Sequence, residues 1–347
     1  MNSETFYLTC DVGGTNTSVA LVAATEGTFQ VHQRFRYRTG ELSSLAEGIS
    51  RSMPGLPGLS GVCVSAAGPV ENRICRMTNV AWTIDADLLE SELGIPVTVI
   101  NDFTAVSYGI PQLKESQGQI LQLEHPDGSH PSPRGTVRAA LGAGTGLGVG
   151  YLISLPDEYL AFPSEGGHSN SFSPYDQLSR ELYDFVEERY RIAPGAELFV
   201  SGQGLANTLR FFAATGRIPP DSPLSDLAAE SDHGKEISSA AHNGDETGRQ
   251  IMELFVRNYG AAAATTALHF LPTAGLYLAG GIVTKNRSFF MEDSRFLKAF
   301  ARNYQPDMIR LLQTIPVFLV LDYEVSLYGA AYAAERHAVH IHEKDDR

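Results

Sequence analysis

Residues 6–10 and 18–22 are mostly apolar and 30–36 mixes apolar with polar positions; glycine-rich or polar turns separate the three segments, which read as strands. A helical spacing follows over residues 42–53 and is closed by the breaker cluster at 54–58. Residues 62–66 and 97–100 are short, continuous apolar runs suited to buried strands, with a helical stretch over 85–93 between them. Strands interleaved with helices in this way predict an α/β fold with a mixed sheet.

A boundary is expected around residues 110–117, followed by a polar, proline-containing loop over 124–134. Strand patterns restart at 136–141 and 147–154. Helical patterns then dominate at 175–189, 204–215, 246–271 and 325–339, broken by short strands at 275–278 and 316–320. The charged tail, 340–347, is expected to fray. No Asp, Glu, Lys or Arg occurs between Arg257 and Lys285, which raises the question of a membrane span. Asn258, His269, Pro272 and the pair Gly280–Gly281 would break one, and Ile251, Leu254, Phe255, Tyr259 and Ala262 instead trace one face of a buried helix ending before Pro272.

At 347 residues the chain exceeds what one ordinary core fills, so two domains are expected. Its 43% hydrophobic and 19% charged residues are those of a globular protein and exclude global disorder. The net charge of −14 argues against a non-specific nucleic-acid or acidic-membrane partner. Cys10, Cys63 and Cys75 are odd in number and lack metal spacing; small apolar fillers in a reducing, cytoplasmic compartment fit them best.

The chemistry-bearing pattern is an internal echo. Val12-Gly-Gly-Thr-Asn-Thr-Ser-Val19 and Gly142-Ala-Gly-Thr-Gly-Leu-Gly-Val149 superpose at an offset of 130 residues, placing Gly14, Thr15 and Val19 on Gly144, Thr145 and Val149. Each lies between strand-like runs, so each predicts a hairpin, and the pair predicts a duplicated, two-lobed architecture. Glycine turns let backbone N–H groups approach a phosphate with no Cβ in the way. Neither turn is a P-loop, and Gly142, Gly144 and Gly146 lack dinucleotide spacing because Leu147 interrupts it. Two facing hairpins could hold a triphosphate, with Asp11 near Mg²⁺ through water; for either turn alone, a plain tight hairpin explains as much.

Three further elements carry polar groups. A strand runs straight into Asn101–Asp102 and a helix; one of the two suffices to cap that helix, leaving the other carboxylate or amide for a ligand. Pro163-Ser-Glu-Gly-Gly-His168 puts Glu165 and His168 on one glycine loop, where they could bind sugar hydroxyls or simply be solvated. Glu197 alone reads as a surface residue. Gly280–Gly281 follows a strand, and could seat an adenine or serve close packing only.

Together these stretches resemble the bacterial glucokinase family, in the sugar kinase/Hsp70/actin-like superfamily. The resemblance rests on Asp11-Val-Gly-Gly-Thr-Asn16, Thr78–Asn79, Ile100-Asn-Asp-Phe-Thr-Ala-Val106, Gly142-Ala-Gly-Thr-Gly-Leu-Gly148, Glu165-Gly-Gly-His168, Ala196–Glu197 with Ser201–Gly202, and Ala279-Gly-Gly-Ile-Val283, in family order. It implies a two-lobed actin-like ATPase (ribonuclease H-like) α/β fold with the ligand cleft between the lobes: a smaller lobe, 1–111, completed by a C-terminal helix within 325–347, and a larger lobe over 112–324. It also implies phosphorylation of glucose by ATP with Mg²⁺, Asp102 acting as general base on the 6-hydroxyl. By the same resemblance Asn101, Asp102, Glu165, His168 and Glu197 bind the sugar. Asp11, Gly13, Gly14, Thr15, Asn16, Gly144, Thr145, Gly146, Gly280 and Gly281 bind the nucleotide, Asp11 also meeting the metal through water. A homodimer is implied, as is membership of the zinc-free group, because no cysteine-rich motif follows His168. Cys10 and Ser164 stand where glycine is frequent in the family, and Ser164 is expected to stiffen its loop.

Alternatives remain at this level. The same residue types could hold mannose or fructose. A non-catalytic sugar-sensing regulator would need a DNA-binding module, for which the first strand at Phe6 leaves no room ahead of it. An actin- or chaperone-type ATPase would not need the Asn101–Asp102 and Glu165–His168 constellation.

Overall fold

The computed structural model describes residues 4–77, 80, 82–170, 172–227 and 233–345. Thr78–Asn79 lie outside the described residues.

The first sheet is built from β1 (Thr5–Val12), β2 (Asn16–Thr25), β3 (Thr28–Arg38), β4 (Gly61–Ala66) and β5 (Val97–Asn101), in the order β3-β2-β1-β4-β5. β1 and β2 form an antiparallel hairpin that closes at Val12 opposite Thr17, while β4 runs parallel to β1 and β5 parallel to β4. All of β4 is buried, as a parallel strand covered on both faces must be. β3 at the edge is largely exposed and carries Arg34, Arg36 and Arg38, charges that discourage pairing with another chain. Leu8, Cys10, Val12, Val62 and Val64 form the core with Leu45 and Ile49, and all three cysteines are free and buried.

The helix expected from residue 42 begins at Leu45 because the Ser44 hydroxyl accepts the Glu47 N–H and so sets the cap there. The helix expected over 85–93 forms at Ala86–Leu93, and a third, Asp102–Gly109, leaves the end of β5 and packs against the C-terminal helix, Val325–Asp345. Their crossing is made of glycine: a Cβ on Gly109 would collide with the Val325 carbonyl, and one on Gly329 with the Ala105 carbonyl. The C-terminal helix continues past the expected stop at 339 to Asp345; no Gly or Pro follows Gly329 to end it sooner.

The second large sheet contains β6 (Ile120–Gln122), β7 (Val137–Ala143), β8 (Leu147–Ser154), β9 (Leu276–Ala279) and β10 (Val317–Val320), lying side by side as β8-β7-β9-β10-β6. Again a hairpin, β7 with β8, is followed by two parallel strands, β9 beside β7 and β10 beside β9. The hairpin-then-parallel order repeats that of β2-β1-β4-β5. The 25-residue helix Glu246–Phe270 supports this sheet; its Tyr259 hydroxyl donates to the Leu141 carbonyl at 2.8 Å. It ends at Leu271 in a left-handed conformation just before Pro272. No helix among the described residues is long and apolar enough to cross a membrane. The helices Gly234–His242, Arg295–Phe300 and Pro306–Gln313 were not expected from the sequence pattern.

Two compact units result. One comprises Met1–Lys114, Leu155–Pro163 and Asp322–Arg347; the other comprises Glu115–Ser154 and Ser164–Leu321.

Because the Asp102–Gly109 helix is seated by a carbonyl against a missing Cβ, Gly329→Ala is expected to destabilise the protein by about 1–3 kcal/mol. The gain in helix propensity, about 1 kcal/mol, is too small to offset this. Urea unfolding should show a lower midpoint; an unchanged or higher midpoint would exclude the tight crossing.

Candidate functional site

The first glycine turn closes with Gly13 N–H donating to the Asn16 carbonyl at 3.0 Å, leaving Gly14 and Thr15 exposed at its tip. Thr39, buried beneath it, is its support. The Thr39 hydroxyl donates to the Gly13 carbonyl at 2.8 Å, its N–H donates to the Thr15 carbonyl at 3.0 Å, and Thr17 Oγ1 lies 3.1 Å from its Oγ1. Sequence reasoning missed Thr39, because a lone threonine 24 positions beyond Thr15 has no motif around it.

Asp11, on β1 just before this turn, is half-buried, and burial raises its carboxyl above the ordinary carboxylate range. The Ser326 hydroxyl donates to Asp11 Oδ2 at 3.4 Å and works in the opposite sense. Ser65, the register partner of Asp11 on parallel β4, is buried and its Oγ has no hydrogen-bond partner among the described residues. A half-buried carboxylate that burial disfavours as an anion, beside an orphaned hydroxyl, fits a divalent cation held through water. No cluster of three or more His, Cys, Asp or Glu side chains among the described residues could hold a metal directly.

At the end of β5, Asn101 takes the capping role. Its Oδ1 accepts from Phe103 N–H at 2.9 Å and Thr104 N–H at 3.3 Å, and its amide donates to the Gly68 carbonyl at 3.2 Å. Asp102 is the first residue of the helix and its Oδ1 also accepts the Phe103 N–H, at 2.9 Å. Asn101 is thus the N-cap, and Asp102 shares one of the two N–H donors that Asn101 accepts.

In the other unit the second turn is shorter: Gly144 N–H donates to Gly146 O at 2.9 Å, and Ala143 pairs with Leu147. Thr145 sits exposed at its tip. Glu197, far along the chain, reaches this turn, where its Oε2 accepts the Leu147 N–H at 2.8 Å. A Cβ on Gly146 would stand 2.5 Å from that oxygen, so glycine there admits the carboxylate. Ser201 Oγ donates to the Glu197 carbonyl at 2.7 Å and Asn207 donates to the Leu198 carbonyl at 3.0 Å, holding the bend that carries Glu197.

Glu165 and His168 join the same place. His168 Nδ1 lies 3.0 Å from Glu165 Oε2, and its Nε2 lies 3.8 Å from Glu197 Oε2, beyond direct hydrogen-bond reach. The Glu165 and His168 side chains are 66% and 65% exposed, so their pairing adds little to stability and is not explained by the fold's needs. Ser164 Oγ accepts the Gly166 N–H at 3.1 Å and pins the loop. Gly280, with φ +101°, faces the Ala143 carbonyl at the root of the second hairpin, 2.5 Å from where a Cβ would stand; packing alone demands glycine there. Gly281 faces open space.

The structure thus brings Glu165, His168 and Glu197 together with Gly144–Gly146 and Gly280 in one unit, and Asp11, Gly13–Asn16, Asn101 and Asp102 into the other.

The family profile described as Glucokinase matches residues 8–337. A glucokinase of Nostoc sp. is 35% identical over 96% of this chain and 99% of its own length, and one of Synechocystis sp. is 34% identical over 94% and 97%. Among solved structures, a glucokinase from an Antarctic psychrotroph aligns with a TM-score of 0.79 at 25% identity, covering 95% of this chain and 99% of its own. A Balamuthia mandrillaris glucokinase in complex with glucose aligns at 0.77 and 24% identity, over 96% and 94%. A ROK family glucokinase of Streptomyces griseus in complex with glucose and AMPPNP shares the fold at 0.65 and 22% identity, over 95% and 99%. The expected two-lobed sugar-kinase fold class is the one these neighbours have.

Asp11 sets a pH dependence. Its raised folded pKa means that its contribution to stability is full below the ordinary aspartate value of about 3.9 and is lost as pH rises through the folded value. At neutral pH the ionised side chain therefore burdens the fold. Asp11→Asn is expected to show a higher urea midpoint than the parent at pH 7, with the gap shrinking toward pH 4. A lower midpoint at pH 7 would overturn this reading of its burial.

Proposed function

This chain belongs to the glucokinase family, and from that premise we propose that it transfers the γ-phosphoryl group of ATP to the 6-hydroxyl of glucose. The family is the one its motifs resemble. The observation that carries the proposal is the convergence of Glu165, His168 and Glu197 beside the Gly144–Gly146 turn. Glu165 and His168 share one exposed loop and Glu197 reaches it from another bend; their mix of acceptors and an imidazole suits several hydroxyls of one sugar.

In this reading Asn101, Asp102, Glu165, His168 and Glu197 orient the sugar. Asp102 accepts the proton of the attacking hydroxyl; its position as the first residue of the helix that leaves β5, next to Asn101, supports that assignment. Its place at a helix N-terminus favours the ionised form that a base requires. The turns Gly13–Asn16 and Gly144–Gly146 meet phosphate oxygens with backbone N–H groups, and Gly280–Gly281 border the nucleoside. Mg²⁺, when bound, neutralises charge on the transferring phosphates; Asp11 would hold it through water, with the Ser65 and Ser326 hydroxyls at hand. Most of the rate enhancement comes from positioning and electrostatics, with general-base help adding about 10²–10⁴-fold.

A coupled assay with ATP–Mg²⁺ and a panel of hexoses tests this. Glucose should turn over fastest, and Asp102→Asn should lose about 10²–10⁴-fold in kcat while keeping glucose affinity within a few-fold. Full activity in that variant would remove Asp102 from the chemistry, and a glucose-free ATPase rate equal to the glucose rate would refute sugar phosphorylation.

A further inference from the structure

The carboxylate of Glu197 belongs to two places at once. One oxygen is bound to the first N–H beyond the second glycine turn, 2.8 Å away, and the same oxygen lies 3.8 Å from His168 on the sugar-side loop. Nothing in the fold forces a carboxylate into this position. Leu147 is buried, and a neutral acceptor would satisfy its N–H as well as a carboxylate does. Instead the chain gives up a Cβ at Gly146 to admit the side chain, and invests Ser201 and buried Asn207 in holding the bend that delivers it.

The electrostatic consequence is specific. A negative charge bound at a turn whose amides are to receive phosphate opposes phosphate, both by occupying a donor and by like-charge repulsion. At the first turn the supports among the described residues, Thr39 and Thr17, are neutral. A sugar hydroxyl donating to Glu197 would draw the carboxylate toward the loop of Glu165 and His168 and disperse its charge. The Leu147 N–H and the turn are then opened to the nucleotide.

We propose that Glu197 is a sugar-responsive guard on the Gly144–Gly146 turn: without sugar it disfavours the triphosphate there, and sugar binding lifts that restraint. This deepens the reading above and rests on it. Glucose and ATP then bind with positive coupling, and by linkage each raises the affinity for the other by the same factor. Idle ATP hydrolysis is suppressed at its source, because nucleotide is held weakly until sugar is present.

The test is isothermal titration of the whole protein with a non-hydrolysable ATP analogue and Mg²⁺, with and without saturating glucose. In the parent, glucose should tighten the analogue on the order of tenfold, within the usual range of coupling. Glu197→Gln keeps an acceptor for Leu147 but removes the charge, and Glu197→Ala removes both. Each should bind the analogue more tightly than the parent without glucose, about threefold or more, with the glucose effect reduced below about twofold. A merely structural role for Glu197 would weaken sugar-free nucleotide binding in both variants, and that result overturns the guard. A parent that phosphorylates glucose yet shows no coupling also overturns it while leaving the proposed function intact. A parent that neither binds nor phosphorylates glucose takes down both.

Discussion

The bond from Leu147 N–H to Glu197 is the contact on which the second unit's site depends. A hairpin that reverses over Gly144–Gly146 needs partners for amides at its mouth. Supplying one from a residue fifty positions away ties the turn to the bend that carries Glu197. Every neighbouring choice follows from it. Gly146 must lack a side chain; Ser201 both accepts the Gly204 N–H to cap its helix and donates to the Glu197 carbonyl; Asn207 is fully buried, donating to Leu198 while accepting from Gln203 and Arg210. A buried amide satisfied on both ends is costly to disturb, so the bend carrying Glu197 is held more firmly than its exposure suggests.

The first unit solves the same problem with neutral groups. Its turn is one residue longer and is braced from below by Thr39, which uses its hydroxyl and its N–H together. The strand order around both hairpins is the same, a hairpin flanked by two parallel strands, yet their supports differ in charge. Duplicated topology has kept the backbone device and let the chemistry around it diverge. In this unit the burden of precision falls on the helix that begins at Asp102, seated by the glycine crossing of Gly109 and Gly329.

Much of this was legible before any coordinates. Short apolar runs bounded by glycine-rich or polar turns marked the strands, because a strand buried on both faces carries apolar residues throughout. The echo between Gly14–Thr15 and Gly144–Thr145 exposed the duplicated hairpins, and Asn101–Asp102 announced itself as one residue too many for a cap. What could not be read was contact between distant segments. Glu197 looked like a surface residue because nothing local marks a carboxylate that reaches back to Leu147. Thr39 was invisible for the same reason. Helices Arg295–Phe300 and Pro306–Gln313 are too short for periodicity to separate from loop. Gly280 invited a ligand reading, whereas its positive φ and the Ala143 carbonyl already require glycine.

The residues that break local rules are the informative ones. Asp11 carries a charge that its surroundings disfavour, Ser65 buries a hydroxyl with no described partner, and Glu165 and His168 hold each other in the open where an ion pair returns little. A chain selected for stability alone would have replaced each with something apolar or left it solvated. Their persistence in two clusters, one behind the Gly13–Asn16 turn and one before the Gly144–Gly146 turn, is what local cost without structural return looks like. The expense is distributed unevenly: Ser65 is buried and Asp11 half-buried, where charge is little screened, whereas Glu165 and His168 stand exposed to solvent.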